Sequence, residues 1–183
     1  MTTFVFLADG FEEVEALTPV DVLRRAGVEV KTVSINEGRK VTGAHGVPIE
    51  ADVTFKEADF GGADWLVLPG GMPGAQNLFD FKALGDLLKV HQMNGKGIAA
   101  ICASPAVVLA QLGLLEGKTA TCYPGFEELL VKNGAKPEAK RVVRDGMTIT
   151  GNGPSSALPF ALEVAAAIAG ADAAQQVAAG MLV

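Results

Sequence analysis

Hydrophobic positions along the chain fall into two kinds of run. Short unbroken ones, at Thr3–Ala8, Trp65–Leu68 and Ile98–Ile101, have the length of buried strands, and Val28–Ile35 alternates as a further strand does. Between them apolar residues recur every three or four positions. Val14, Leu17, Val20 and Leu23 predict a helix from Glu12 to Arg24-Arg25-Ala26-Gly27, where basic residues and a glycine signal a C-terminus. Pro19 falls inside it, and the helix is expected to continue with a kink. Leu84, Leu87, Leu88 and His91 predict a second helix over 81–94, stopped by Asn94-Gly95, with His91 at its solvent edge. Further on, the pattern predicts a strand at Lys118–Tyr123 and a helix over Pro124–Gly134. A hairpin of Arg141–Arg144 with Met147–Thr150 is joined by Asp145-Gly146, and two helices follow near 155–169 and 172–180. Residues 39–55, with Gly43, Gly46 and Pro48, suggest short irregular strands in a hairpin or flap. Strands alternating with helices predict an α/β fold with a doubly wound, mostly parallel sheet flanked by helices. With no repeat and no linker, residues 1–183 are expected to form one domain.

In such sheets ligands bind beyond the carboxyl ends of the strands, which places Asp9-Gly10, Gly70-Gly71, Cys102 and Tyr123 together. Cys102 follows the strand Ile98–Ile101 directly, and Pro105, Val107, Val108, Leu109 and Leu112 open a helix at once. A strand-to-helix turn this tight lifts a side chain off the backbone and aims free helix N–H groups at it. Those groups favour thiolate, so the Cys102 pKa is expected below the free value of about 8.5. Leu68-Pro69-Gly70-Gly71 ends another strand, and two residues without side chains can bring N–H groups close to an anion. Glu12, Glu13 and Glu15 crowd the start of the first helix, where the dipole favours carboxylates. Glu15, one turn in, can point inward along the sheet edge.

Composition narrows the functional classes. The 183 residues carry a net charge of −6 and no basic stripe, which argues against nucleic acid and anionic membranes as partners. The start lacks a basic region and reaches Asp9 too early for a signal peptide, and the longest apolar stretch is interrupted by Ser104, Pro105 and Gln111. Two cysteines and two histidines, with no CxxC, argue for a reducing cytoplasm without a structural metal site. The Gly70-Gly71 turn matches neither a Walker loop nor a dinucleotide fingerprint, so no nucleotide cofactor is expected.

Four stretches carry a resemblance. Ala8–Gly27 contains Glu-Glu-Val-Glu and Pro-Val-Asp-Val-Leu-Arg-Arg-Ala-Gly; Leu68-Pro-Gly-Gly71 precedes Gly74-Ala-Gln-Asn-Leu78; Ala99-Ala-Ile-Cys-Ala103 and Gly153-Pro154 follow. With these the chain resembles the ThiJ/PfpI superfamily, in the branch of the Parkinsonism-associated deglycase and redox protein, over nearly its whole length. The resemblance implies a flavodoxin-like, class I glutamine amidotransferase-like three-layer sandwich and a homodimer. It implies that Cys102 is the reactive, oxidisable cysteine, that Glu15 is a protonated or proton-sharing carboxyl bonded to it, and that Gly70, Gly71 and Ala103 supply backbone donors. Tyr123, His45, Gly153 and Pro154 would line the site. Three departures stand out. Ala103 replaces the histidine that follows the nucleophile in the protease-like branch, which removes a base for peptide hydrolysis. Tyr123 stands where the deglycase branch commonly has histidine, and a phenol donates a hydrogen bond but is a poor base at neutral pH. His45 occupies a flap position that often holds arginine.

The implied activity is cofactor-independent. A Cys102 thiolate attacks an α-oxoaldehyde such as methylglyoxal, or its thiol and amine adducts, and Glu15 moves the proton on the way to lactate. The alternative is an oxidative-stress sensor or redox-regulated chaperone working through oxidation of Cys102.

Overall fold

The computed structural model describes residues 2–183. β1 (Thr2–Leu7), α1 (Glu13–Arg25) and β2 (Glu29–Ser34) form the first strand–helix–strand unit. β3 (Lys40–Thr42) and β4 (Pro48–Glu50) pair antiparallel as the expected flap, and β5 (Val53–Thr54) returns to lie beside β2. β6 (Ala63–Leu68), α2 (Gly74–Asp80), α3 (Lys82–Met93) and β7 (Gly97–Ile101) follow, and a π-helical segment at Pro105–Ala110 leaves the end of β7. β8 (Thr119–Ala120), α4 (Glu127–Lys132) and β9 (Lys136–Pro137) make an excursion. β10 (Val142–Asp145), β11 (Thr148–Gly151), α5 (Ala157–Ala169) and α6 (Ala171–Gly180) complete the chain.

Seven strands form one sheet in the order β10-β11-β7-β6-β1-β2-β5, parallel throughout except for β10 against β11. Helices cover both faces, as a parallel sheet requires. Alternation along β1 shows the division. Val5 and Leu7 face α1 and α5 with Val22, Leu23, Phe160 and Val164, whereas Phe4 and Phe6 face Leu84, Leu88 and Val108 on the other side. The mostly parallel, helix-flanked sheet is therefore the architecture the hydrophobic pattern predicts. Among the described residues no helix is long and apolar enough to cross a membrane.

Four local expectations are corrected. Lys118–Tyr123 is not a strand of the main sheet: only Thr119–Ala120 pair, with Lys136–Pro137, and the Thr121 N–H donates to the Thr150 hydroxyl. The terminal hairpin turns through Gly146-Met147 rather than Asp145-Gly146, because Asp145 pairs with Thr148. Gly146 takes φ +61° at the first loop position, and the Asp145 carboxylate accepts the Thr119 N–H. α2 was not expected; it starts on Gly74 without a side-chain cap and spans only seven residues. His91 is buried rather than at the solvent edge. It shares the stripe of Leu84 and Leu88 against β7, its Nε2 lies 3.1 Å from the Gly97 carbonyl, and burial holds its pKa below the ordinary value.

Candidate active site

Three neighbouring strands, β1, β6 and β7, end at one edge of the sheet, and the residues just beyond them meet there. Cys102 follows β7 with φ +67°, a left-handed conformation that costs a non-glycine residue roughly 1–3 kcal/mol. Both sides of its backbone are tied down: its N–H donates to the Gly151 carbonyl (2.9 Å), and its carbonyl accepts the Tyr123 N–H (2.8 Å). The Ser104 hydroxyl donates to the Pro69 carbonyl, joining the turn after β7 to the turn after β6. The side chain of Cys102 is thereby aimed along the sheet edge, only 7% of the residue remaining exposed.

Glu15 reaches the same point from α1 and is fully buried. Four residues later Pro19 has no N–H to offer the Glu15 carbonyl, although the helix continues through it, as expected. Glu15 Oε2 accepts the Gly70 N–H at 2.9 Å, and Oε1 has no hydrogen-bond partner among the described residues. Gly70 is glycine of necessity. A Cβ there would lie 2.5 Å from Cys102 Cβ, 2.7 Å from Glu15 Oε2 and 3.0 Å from Cys102 Sγ. The Gly70 N–H thus orients the carboxyl instead of facing the sulfur. Among the three expected donors, Gly71 and Ala103 are the ones whose N–H groups act on Cys102.

Electrostatics corrects the expected thiolate. Burial, then the charge of Glu15 and its hydrogen bond, push the Cys102 thiol up to about 12, against a downward pull from the Gly71 and Ala103 N–H groups. Burial pushes Glu15 up to about 7, while hydrogen bonds from Cys102 and Gly70 act in the opposite direction. The two groups lie too close to ionise independently. A charged Glu15 opposes the thiolate, but a protonated one donates to it, so the pair is built to hold one negative charge and one proton.

A cavity of about 230 Å³ opens over the sulfur. Met72, Tyr123, Phe126 and Pro154 form its walls, and Glu12 stands at its rim. Tyr123 is held beside Gly153, whose hypothetical Cβ would sit 3.2 Å from the ring. Met72 and Phe126 were not singled out from the sequence. Phe126 follows Tyr123 by three residues, but a lone aromatic before a short helix gives no periodic signal. His45 does not line the cavity. Its Nδ1 lies 2.9 Å from Glu13 Oε2 and 3.6 Å from Glu12 Oε1, which fastens the flap to the start of α1. One ligand atom from each of Glu12, Glu13 and His45 lies within 4.8 Å of the others. Glu13 is already engaged by the His45 N–H and ring, so the trio serves as an ion-paired clasp.

A thiol, a carboxyl that shares its proton and two backbone donors can perform nucleophilic addition with proton transfer, or stabilise oxygen added to sulfur. Residues 1–167 match the family model described as the DJ-1/PfpI family. The chain is 41% identical over 182 residues to protein dj-1beta of Drosophila melanogaster, spanning 100% of this chain and 97% of that one. The crystal structure of that protein superposes with a TM-score of 0.95. Oxidized DJ-1 of Toxoplasma gondii gives a TM-score of 0.94 at 39% identity, covering 99% and 97% of the two chains. A Pyrococcus abyssi protein named as a deglycase is 32% identical over 154 residues, 84% of this chain and 91% of that one. The family match over residues 1–167 and the likeness in sequence and fold to dj-1beta over the whole chain make this chain a member of the DJ-1/PfpI family.

Proposed function

We propose that the protein is a cofactor-independent, cysteine-dependent glyoxalase or deglycase acting on α-oxoaldehydes and their adducts. The observation that carries this reading is the buried Glu15 carboxyl, raised to about 7 and set against the Cys102 sulfur. An acid–base group works best with a pKa near the operating pH. The deglycase name of the archaeal relative agrees with it.

With methylglyoxal, the Cys102 sulfur adds to the aldehyde carbon while the Gly71 and Ala103 N–H groups hold the developing oxyanion. Protonation gives a hemithioacetal. Glu15 removes the proton from that carbon and returns one to the neighbouring carbonyl carbon, while the hydroxyl proton passes to the neighbouring oxygen, leaving a lactoyl thioester. Water then cleaves the carbon–sulfur bond, releasing lactate and the thiol. One aldehyde and one water become one lactate, with no external oxidant. Tyr123, at the cavity wall, donates a hydrogen bond to bound substrate. A homodimer and a cytoplasmic location belong to the same reading.

The test is lactate formation from methylglyoxal without glutathione. Turnover by the wild type that disappears in Cys102→Ala is the expected result, and equal turnover in both contradicts the reading.

A second reading is favoured by the likeness to an oxidized DJ-1. Peroxide would convert the Cys102 thiol to sulfenic and then sulfinic acid, each step consuming one peroxide and releasing one water. Gly71, Ala103 and Glu15 would hold the added oxygens. Mass analysis after peroxide titration tests this: two oxygens held on Cys102 support it, and onward oxidation without a sulfinic plateau contradicts it.

A further inference from the structure

The walls of the cavity carry a selectivity that Cys102 and Glu15 alone do not. Met72 and Tyr123 are 50% and 44% exposed, large side chains presented to whatever enters. Phe126 and Pro154 add to the apolar lining of the same cavity. Tyr123 is fixed relative to the sulfur by its N–H bond to the Cys102 carbonyl and by the close flank of Gly153. Methylglyoxal, with a single methyl group, would leave most of this wall against water, whereas a planar ring would cover it and stack on the aromatic side chains.

Charge points the same way. Among the described residues no Lys, Arg or His lines the cavity, and the one charged side chain that does is Glu12. The nearby cation, His45, is shared between Glu12 at 3.6 Å and Glu13 at 2.9 Å. Two carboxylates against one imidazole leave a net negative rim even when His45 is protonated.

We propose that the pocket over Cys102 selects neutral α-oxoaldehydes carrying an aryl or comparably large apolar group, and that Glu12 rejects anionic ones. This selectivity rests on Cys102 being the nucleophile of the site. A recognition element for carboxylate-bearing aldehydes would need a cation where this chain has Glu12.

The experiment reads the pocket without requiring turnover. Phenacyl bromide, its 4-carboxylate analogue and bromoacetone each alkylate a thiolate, forming the carbon–sulfur bond as bromide leaves. Rates on the wild type are followed by intact mass, corrected with Cys102→Ala for reaction at Cys122, and divided by rates on free cysteine. Normalised rates are expected to favour phenacyl bromide over both of the others by about tenfold or more. Glu12→Gln narrows the gap to the carboxylate analogue, and Phe126→Ala narrows the gap to bromoacetone. Normalised rates that are equal for the three reagents overturn the proposal, as do ratios unmoved by both variants. Phenylglyoxal and methylglyoxal are then supplied to the wild type. Failure to form either hydroxy acid refutes the proposed reaction, while the alkylation ratios still decide the selectivity.

Discussion

The Glu15 carboxyl and the Cys102 side chain converge on Gly70 so closely that a single added methyl group would collide with both. Gly70→Ala should therefore cost about 1–3 kcal/mol of stability, the usual penalty for an overpacked interior. It should also lower turnover by about a hundredfold through displacement of the reacting groups. Thermal melts and the alkylation rate of Cys102 check this, and a variant with native melting and native alkylation contradicts the described packing.

Glu15 ties stability to pH with a definite sign. Its folded value of about 7 lies above the ordinary 4.5, so between those values the fold holds a proton that the unfolded chain has released. The penalty is absent below about pH 4.5, grows through the window and is complete above about 7. Glu15→Gln has no proton to lose. It should gain on the wild type as pH rises from 4.5 to 7.5, by up to about 3 kcal/mol, as followed by denaturant unfolding.

His45 gives the opposite sign. The Glu13 hydrogen bond, then the charges of Glu12 and Glu13, raise its pKa above 6.5, so the clasp is complete below that value and is lost as pH climbs through the raised one. Its effect is confined to the flap. Amide protection factors at Gly43 and Ala44, whose N–H groups bond to Val47 and Phe11, corrected for the intrinsic rise of exchange with pH, should fall from pH 6 to 8. His45→Ala should remove that pH dependence.

Ser104 has a structural task beside the nucleophile. Ser104→Ala leaves the Pro69 carbonyl without its donor in a fully buried place, at a cost of about 1–3 kcal/mol, readable as a lowered melting temperature.

The sequence carries the sheet and the turn at Cys102 plainly, because Ile98–Ile101 and Pro105 state a strand and a helix start with three small residues, Cys102, Ala103 and Ser104, between. Glu15 is legible as the one of three carboxylates, a turn into the helix, that can point inward; its complete burial follows from the direction of α1 across the sheet edge. His91 was misplaced although its spacing from Leu84 and Leu88 puts it on their stripe, since histidine is commonly polar surface. The hairpin register fails by one residue because Asp145 is held in the ladder by its bond to Thr119, a contact far along the chain. The thiol illustrates the same limit. Helix N–H groups can be read from the order of elements, but burial and a facing carboxyl outweigh them, and both arise only from packing.

The most direct test of the Cys102–Glu15 pair is rapid-quench mass analysis during reaction with methylglyoxal, with lactate measured in parallel. The account predicts that the wild type gains one substrate mass on Cys102 and releases lactate. Glu15→Gln gains the same mass and holds it without releasing lactate, because addition needs the sulfur and completion needs the carboxyl. Lactate released by Cys102→Ala, or at the full wild-type rate by Glu15→Gln, would contradict it.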